Sequence, residues 1–126
     1  RGLSLMSNVH MIVGTLTLVL FIVNLGMYAV NMFKGTAAPY HRLVSIGAAT
    51  LLLLQYALGF MLLGSGEDIP WTHWVIALTT IIPVGIEHMF ASPEASIRRR
   101  GTLGLFATVI TVILVLTAYA IGEMNA

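Results

Sequence analysis

WTHWVIALTTIIPVGIEHMF, residues 71–90, decides how this chain is read. Its only ionisable side chains are His73, Glu87 and His88, and the rest is dominated by apolar and small residues. At about 1.5 Å of rise per residue, a helix of this length covers roughly 30 Å, the thickness of a bilayer's hydrocarbon core. The fifteen steps from His73 to His88 then span about 22 Å along the axis with an angular offset of about 60°. An ionisable side chain inside a membrane segment is costly, and by default it marks a functional site.

Three further apolar runs share this character, at 9–33, 40–63 and 101–122. Hydrophobic residues make up 58% of the 126 positions, charged residues only 9%, and mean hydropathy is +0.94, which together describe an integral membrane protein. Helix breakers punctuate the links: Lys34-Gly35 with Pro39, Gly64-Ser65 through Pro70, and Ala91-Ser92-Pro93. Short links between spans predict an all-α, four-helix, up-down-up-down membrane bundle, one transmembrane domain over residues 1–126. Pro83 lies inside the third run and predicts a bend before His88.

The chain has no cysteine, which excludes disulfides, thiolate metal sites and a thiol nucleophile. A formal net charge of +1 is too small to argue for nucleic acid. The distribution of Lys and Arg is more informative. Lys34, Arg42, Arg98, Arg99 and Arg100 fall on the side reached after the first and third runs, whereas the other side has Arg1 with Glu67, Asp68 and Glu123. The positive-inside rule predicts both termini outside and the Arg-rich loop in the cytoplasm, most naturally of a bacterial or archaeal plasma membrane. Trp71, Trp74 and Tyr40 fit interfacial anchors, and Arg98 to Arg100 fit a topology signal and lipid-headgroup patch. The first residues show no charged region followed by a small-residue cleavage site.

With that topology the histidines sort into two layers. His10 and His73 open the first and third runs near the outer surface; His41 opens the second and His88 closes the third near the inner surface. At helical spacing His10 is followed by Gly14, Thr17, Phe21, Asn24 and Tyr28, and His41 by Ser45, Ala48, Leu52, Gln55 and Gly59. These stripes are too small and polar to face lipid, and small residues both allow close helix approach and leave room beside an imidazole for a flat macrocycle. The fourth run offers Gly104, Thr108, Thr111 and Val115, a wall without a ligand. Paired imidazoles from different helices of a bundle match a haem iron with two axial histidines, so the expected cofactor is one or two b-type haems, with His10, His73, His41 and His88 as iron ligands. Thr17, Thr72 and Ser45 are candidate partners for the second ring nitrogens.

Helix packing at about 8 to 10 Å leaves most room for a shared metal on a bundle's diagonal. In a sequential square the first and third helices are diagonal, which favours His10 with His73; His41 and His88 would sit on neighbours and require splaying. Glu87 has two readings: a proton acceptor when a quinone or haem is reduced, or a snorkelling acid paired with Arg98 or Arg42. The seven methionines are scattered and read as packing rather than copper ligands.

Three short stretches, Tyr40-His41-Arg42-Leu43, Leu54-Gln55 with Leu58-Gly59, and Trp71-Thr72-His73-Trp74, resemble the four-helix haem-binding bundles of membrane b-type cytochromes, cytochrome b561-like and including the halves of haem A synthase. The resemblance covers about half the chain, and the order of its His-Arg and Gln-x-x-Leu-Gly elements within one helix departs from the haem A synthase arrangement. It implies haem ligation and electron transfer to a quinone or to protein partners in a respiratory or photosynthetic complex, not farnesyl-haem chemistry. Two other classes stay open: a subunit in which each histidine holds one chlorophyll-type pigment, and a cofactor-free accessory subunit. No nucleophile with its base, phosphate loop or carboxylate pair supports catalysis by this chain alone.

Overall fold

The computed structural model describes residues 2–89 and 96–124, and all regular structure among them is helical. The helices are α1 (Gly2–Lys34), α2 (His41–Gly64), α3 (Trp71–Thr79), α4 (Ile81–Met89) and α5 (Ile97–Met124). Three segments are long and apolar enough to cross a membrane: Leu5–Lys34 of α1, all of α2 and all of α5. Arg1, Phe90 and the Ala91-Ser92-Pro93 breaker lie outside the described residues.

The third apolar run differs from the single bent helix expected of it. It forms two nine-residue helices, α3 and α4, that meet at Thr80. Pro83 has no N–H, so the Thr79 carbonyl lacks its donor four residues on. The chain responds by tightening: Thr80 N–H bonds Ala77 O at 3.3 Å, and the four-residue pattern resumes at Val84 N–H to Thr80 O at 3.3 Å. Thr80 keeps right-handed helical dihedrals, φ −58° and ψ −25°, so the chain does not turn back there.

The α1–α2 link is fixed by one side chain. Asn31 accepts from the Ala38 N–H through Oδ1 at 2.8 Å, while its backbone carbonyl takes the Gly35 N–H at 3.1 Å. Gly35 (φ +69°) supplies the left-handed conformation that ends α1 at low steric cost. Tyr40 adopts φ 61° just before α2 begins, an uncommon conformation for a side chain of that size.

α1 is flanked by α2 and α5. Gly14 lies against Gln55 and Asn31 meets His41, so α2 runs opposite to α1. Thr15 meets Tyr119 and Arg98 donates to Met32 O and Phe33 O, so α5 also runs opposite to α1. α3 and α4 lie along α5. Round the bundle the order is therefore α2, α1, α5 and the α3–α4 arm. The circuit is loosest between α2 and that arm, where the Tyr56 hydroxyl reaches across to Ala77 O at 2.5 Å. Glycines set the tight side: a Cβ at Gly101 would stand 2.6 Å from the Met32 nitrogen.

Polarity is distributed opposite to that of a water-soluble bundle. Thr17, Asn24, Asn31, Ser45, Thr80, Glu87, Thr108 and Thr111 are buried, while Leu16, Val19, Ile22, Leu53, Phe60, Ile82, Phe106, Ile110 and Ile113 are exposed. This distribution is compatible with a lipid-facing exterior, because lipid tails give apolar side chains no reason to turn inward. Phe21, Ala48, Leu52 and Val84 form a small apolar layer in the interior.

Candidate functional site

Among the described residues, two cavities each contain one of the expected histidine pairs, and we label them outer and inner after the topology expected from the charges. The outer one, about 250 Å³, is lined by His10, Gly14, Gln55, Gly59, His73 and Gly122, among others. α1 brings in His10, α3 brings in His73, and the two ring centres stand 6.3 Å apart at an interplanar angle of 75°. His73 Nδ1 lies 2.7 Å from Ala118 O. A carbonyl only accepts, so Nδ1 carries the proton and Nε2 keeps its lone pair. Hydrogen bonding of one ring nitrogen to a backbone carbonyl, leaving the other as a ligand, is the usual preparation of a metal-binding histidine.

His10 is less satisfied. Its Nε2 lies 3.4 Å from Gln55 Nε2, while His10 Nδ1 and Gln55 Oε1 are buried without a partner. The glycines are the reason both imidazoles fit. A Cβ at Gly59 would come within 3.3 Å of His10 Cε1, one at Gly122 within 3.3 Å of His73 Cε1, and one at Gly14 within 2.7 Å of Gln55 Nε2.

The inner cavity, about 660 Å³, holds His41, His88, Glu87 and Arg100. His41 uses both ring nitrogens: Nδ1 accepts from Asn31 Nδ2 at 3.0 Å, and Nε2–H donates to Asn24 Oδ1 at 2.9 Å. With that bonding neither nitrogen has a lone pair free for a metal. His88 Nε2 stands 3.5 Å from Ser45 Oγ. Glu87, only 4% exposed, dominates the site. Its Oε2 accepts from Ser45 Oγ at 2.6 Å, Tyr28 Oη at 2.7 Å and Asn24 Nδ2 at 2.9 Å. The snorkelling pair with Arg98 or Arg42 is not formed; three uncharged donors on α1 and α2 hold the carboxylate instead, and Arg98 caps the end of α1.

The candidate second-nitrogen partners fall elsewhere. Thr17 bonds the Val13 carbonyl at 2.7 Å within its own helix, and Ser45 serves Glu87. The partner of His73 is a backbone oxygen, which no residue type advertises. Asn24, Asn31 and Tyr28 are polar side chains of this cavity region that the histidine pattern does not single out; Asn24 and Tyr28 lie on the His10 stripe. Among the described residues no three His, Cys, Asp or Glu side chains gather as a metal site. No protein family model matches this chain, and no curated protein or solved structure does either.

Proposed function

We propose that this chain is a membrane b-type cytochrome in which His10 and His73 hold one haem in the outer half of an up-down-up-down bundle. The arrangement of His73 carries the reading: Nδ1–H is fixed on Ala118 O and the ring faces His10 at 6.3 Å. His10 and His73 would each offer one ring nitrogen to such a group from opposite sides of the cavity. The buried His10 Nδ1 without a partner is compatible with the same assignment, since buried polar groups without partners are costly. The loose side of the bundle, between α2 and α3, is where an occupant wider than the cavity has room. A haem there supplies one-electron redox chemistry whose potential follows from its axial ligands and their hydrogen bonds.

Of the expected one or two haems, one is favoured by His41, whose nitrogens are committed to Asn24 and Asn31. The chain's own part is to orient two imidazoles, exclude water with an apolar shell, and exchange electrons with a quinone or with protein subunits of a membrane complex. Its basic end, with Lys34, Arg42 and Arg98 to Arg100, faces the cytoplasm in this reading.

The test is the purified protein's dithionite-reduced minus oxidised spectrum with haem counted per chain. We expect one haem per chain, lost in His73→Ala and in His10→Ala and retained in His41→Ala. Haem retained in both outer variants overturns the ligand assignment. A magnesium pigment in the organic extract gives the pigment-carrying alternative, and a colourless protein gives the accessory subunit.

A further inference from the structure

Two residues lining the inner cavity each carry a buried polar atom without a partner among the described residues. Three donors pin Glu87 Oε2, which leaves Oε1 buried with no donor among the described residues, while Glu87 itself lines the cavity. Arg100, from the first turns of α5, lines that cavity too, and its Nε–H is buried with no acceptor. The two residues form no ion pair with each other, although one has the acceptor and the other the donor. Leaving a carboxylate oxygen and a guanidinium N–H unmatched in a low-dielectric interior is expensive, so a ligand carrying both complements is strongly favoured there.

Access decides where such a ligand comes from. α2 makes no close pairing with α4 comparable to its pairing with α1, so the cavity borders the loose seam that faces lipid. It also lies at the basic end of the molecule, where Arg42 joins Arg100 in the lining. We propose that this cavity binds the head group of an aminophospholipid, with the ammonium N–H donating to Glu87 Oε1 and a phosphate oxygen accepting from Arg100 Nε–H. The chemistry is that of a zwitterion: the cation meets the carboxylate and the anion meets the guanidinium, each through a charge-assisted hydrogen bond. A choline head group has the same phosphate but no N–H, a glycerol head group has the phosphate without the cation, and a dihydroxy-aromatic ring brings no countercharge to either anchor. The proposal is independent of haem at His10 and His73, so either can fail alone.

The test uses the full chain in detergent and measures binding of short-chain phosphatidylethanolamine, phosphatidylcholine, phosphatidylglycerol and a soluble hydroquinone by calorimetry. Phosphatidylethanolamine is expected to bind about tenfold tighter than either other lipid, the scale of one charge-assisted hydrogen bond. Glu87→Gln should bring the ethanolamine and choline lipids to within about twofold of each other, and Arg100→Gln should weaken both. Equal affinity for those two lipids in the unmodified protein overturns the proposal. So does a preference that survives Glu87→Gln, or tighter binding of the hydroquinone. Should Glu87→Gln fail to fold, the ethanolamine-to-choline ratio of the unmodified protein decides alone.

Discussion

Glu87 is the side chain around which the polar groups of the inner cavity are organised, and its partners come from α1 and α2. Asn24 links it to His41, Tyr28 stacks edge-on against His41 with ring centres 4.2 Å apart, and Ser45 sits between Glu87 and His88. Tyr28 can reach Glu87 only because position 104 is glycine: a Cβ there would fall inside the contact distance of Tyr28's ring carbons. Gly104→Ala should therefore swing Tyr28 away, break its bond to Glu87 and cost about 1–3 kcal/mol as overpacking does. Thermal unfolding in detergent checks this, and unchanged stability would refute the role given to the glycine. Sequence reading found Gly104 as part of a featureless wall, and the helical stripe through His10 already contained Asn24 and Tyr28. What it lacked was the identity of their partners. Glu87 lies some sixty residues along the chain from both, and the Ala118 carbonyl that orients His73 has no side-chain signature at all.

At the scale of elements, hydropathy located the spans well because a bilayer imposes length and apolarity together. α1 and α5 exceed the apolar runs that announced them, since Ile97, Arg98, Arg99 and Arg100 continue α5 into the basic end where hydropathy falls. The third run was harder to read. A proline in a helical pattern announces a bend, but whether it leaves one helix or two depends on how neighbouring turns resettle their hydrogen bonds. Here Thr80 takes a three-residue turn and α3 and α4 separate. Pro83→Ala returns the missing donor to the Thr79 carbonyl and should fuse the two into one helix, because a proline in a helix interior costs about 3 kcal/mol. Hydrogen exchange gives the check: amides around residues 79–84 should exchange at least about tenfold more slowly in the variant. Exchange that stays as fast would show that the break belongs to the packing of α3 and α4 on α5 rather than to the proline.

At the scale of the whole molecule, the buried polar rows and the exposed Leu, Ile, Val and Phe surface are compatible with lipid on the outside, and the charge distribution predicts which way the molecule would face. All basic residues but Arg1 collect at the end holding the α1–α2 link and the start of α5, whereas the link after α2 holds Glu67 and Asp68. Bias of this kind in short loops orients membrane proteins with the basic end in the cytoplasm. The sequence makes the test clean, because the chain has no cysteine of its own. Ser65 and Thr36 are exposed residues in the two links, and neither carries a charge that the substitution would remove. In sealed right-side-out vesicles a membrane-impermeant maleimide should label Ser65→Cys at once and Thr36→Cys only after permeabilisation. That result places the His10–His73 site in the outer leaflet and the Glu87 cavity in the inner one. The reverse labelling would turn the molecule over, moving the proposed haem site to the cytoplasmic side and the proposed lipid site to the outer leaflet. Labelling of both positions from one side would deny that α2 crosses the membrane.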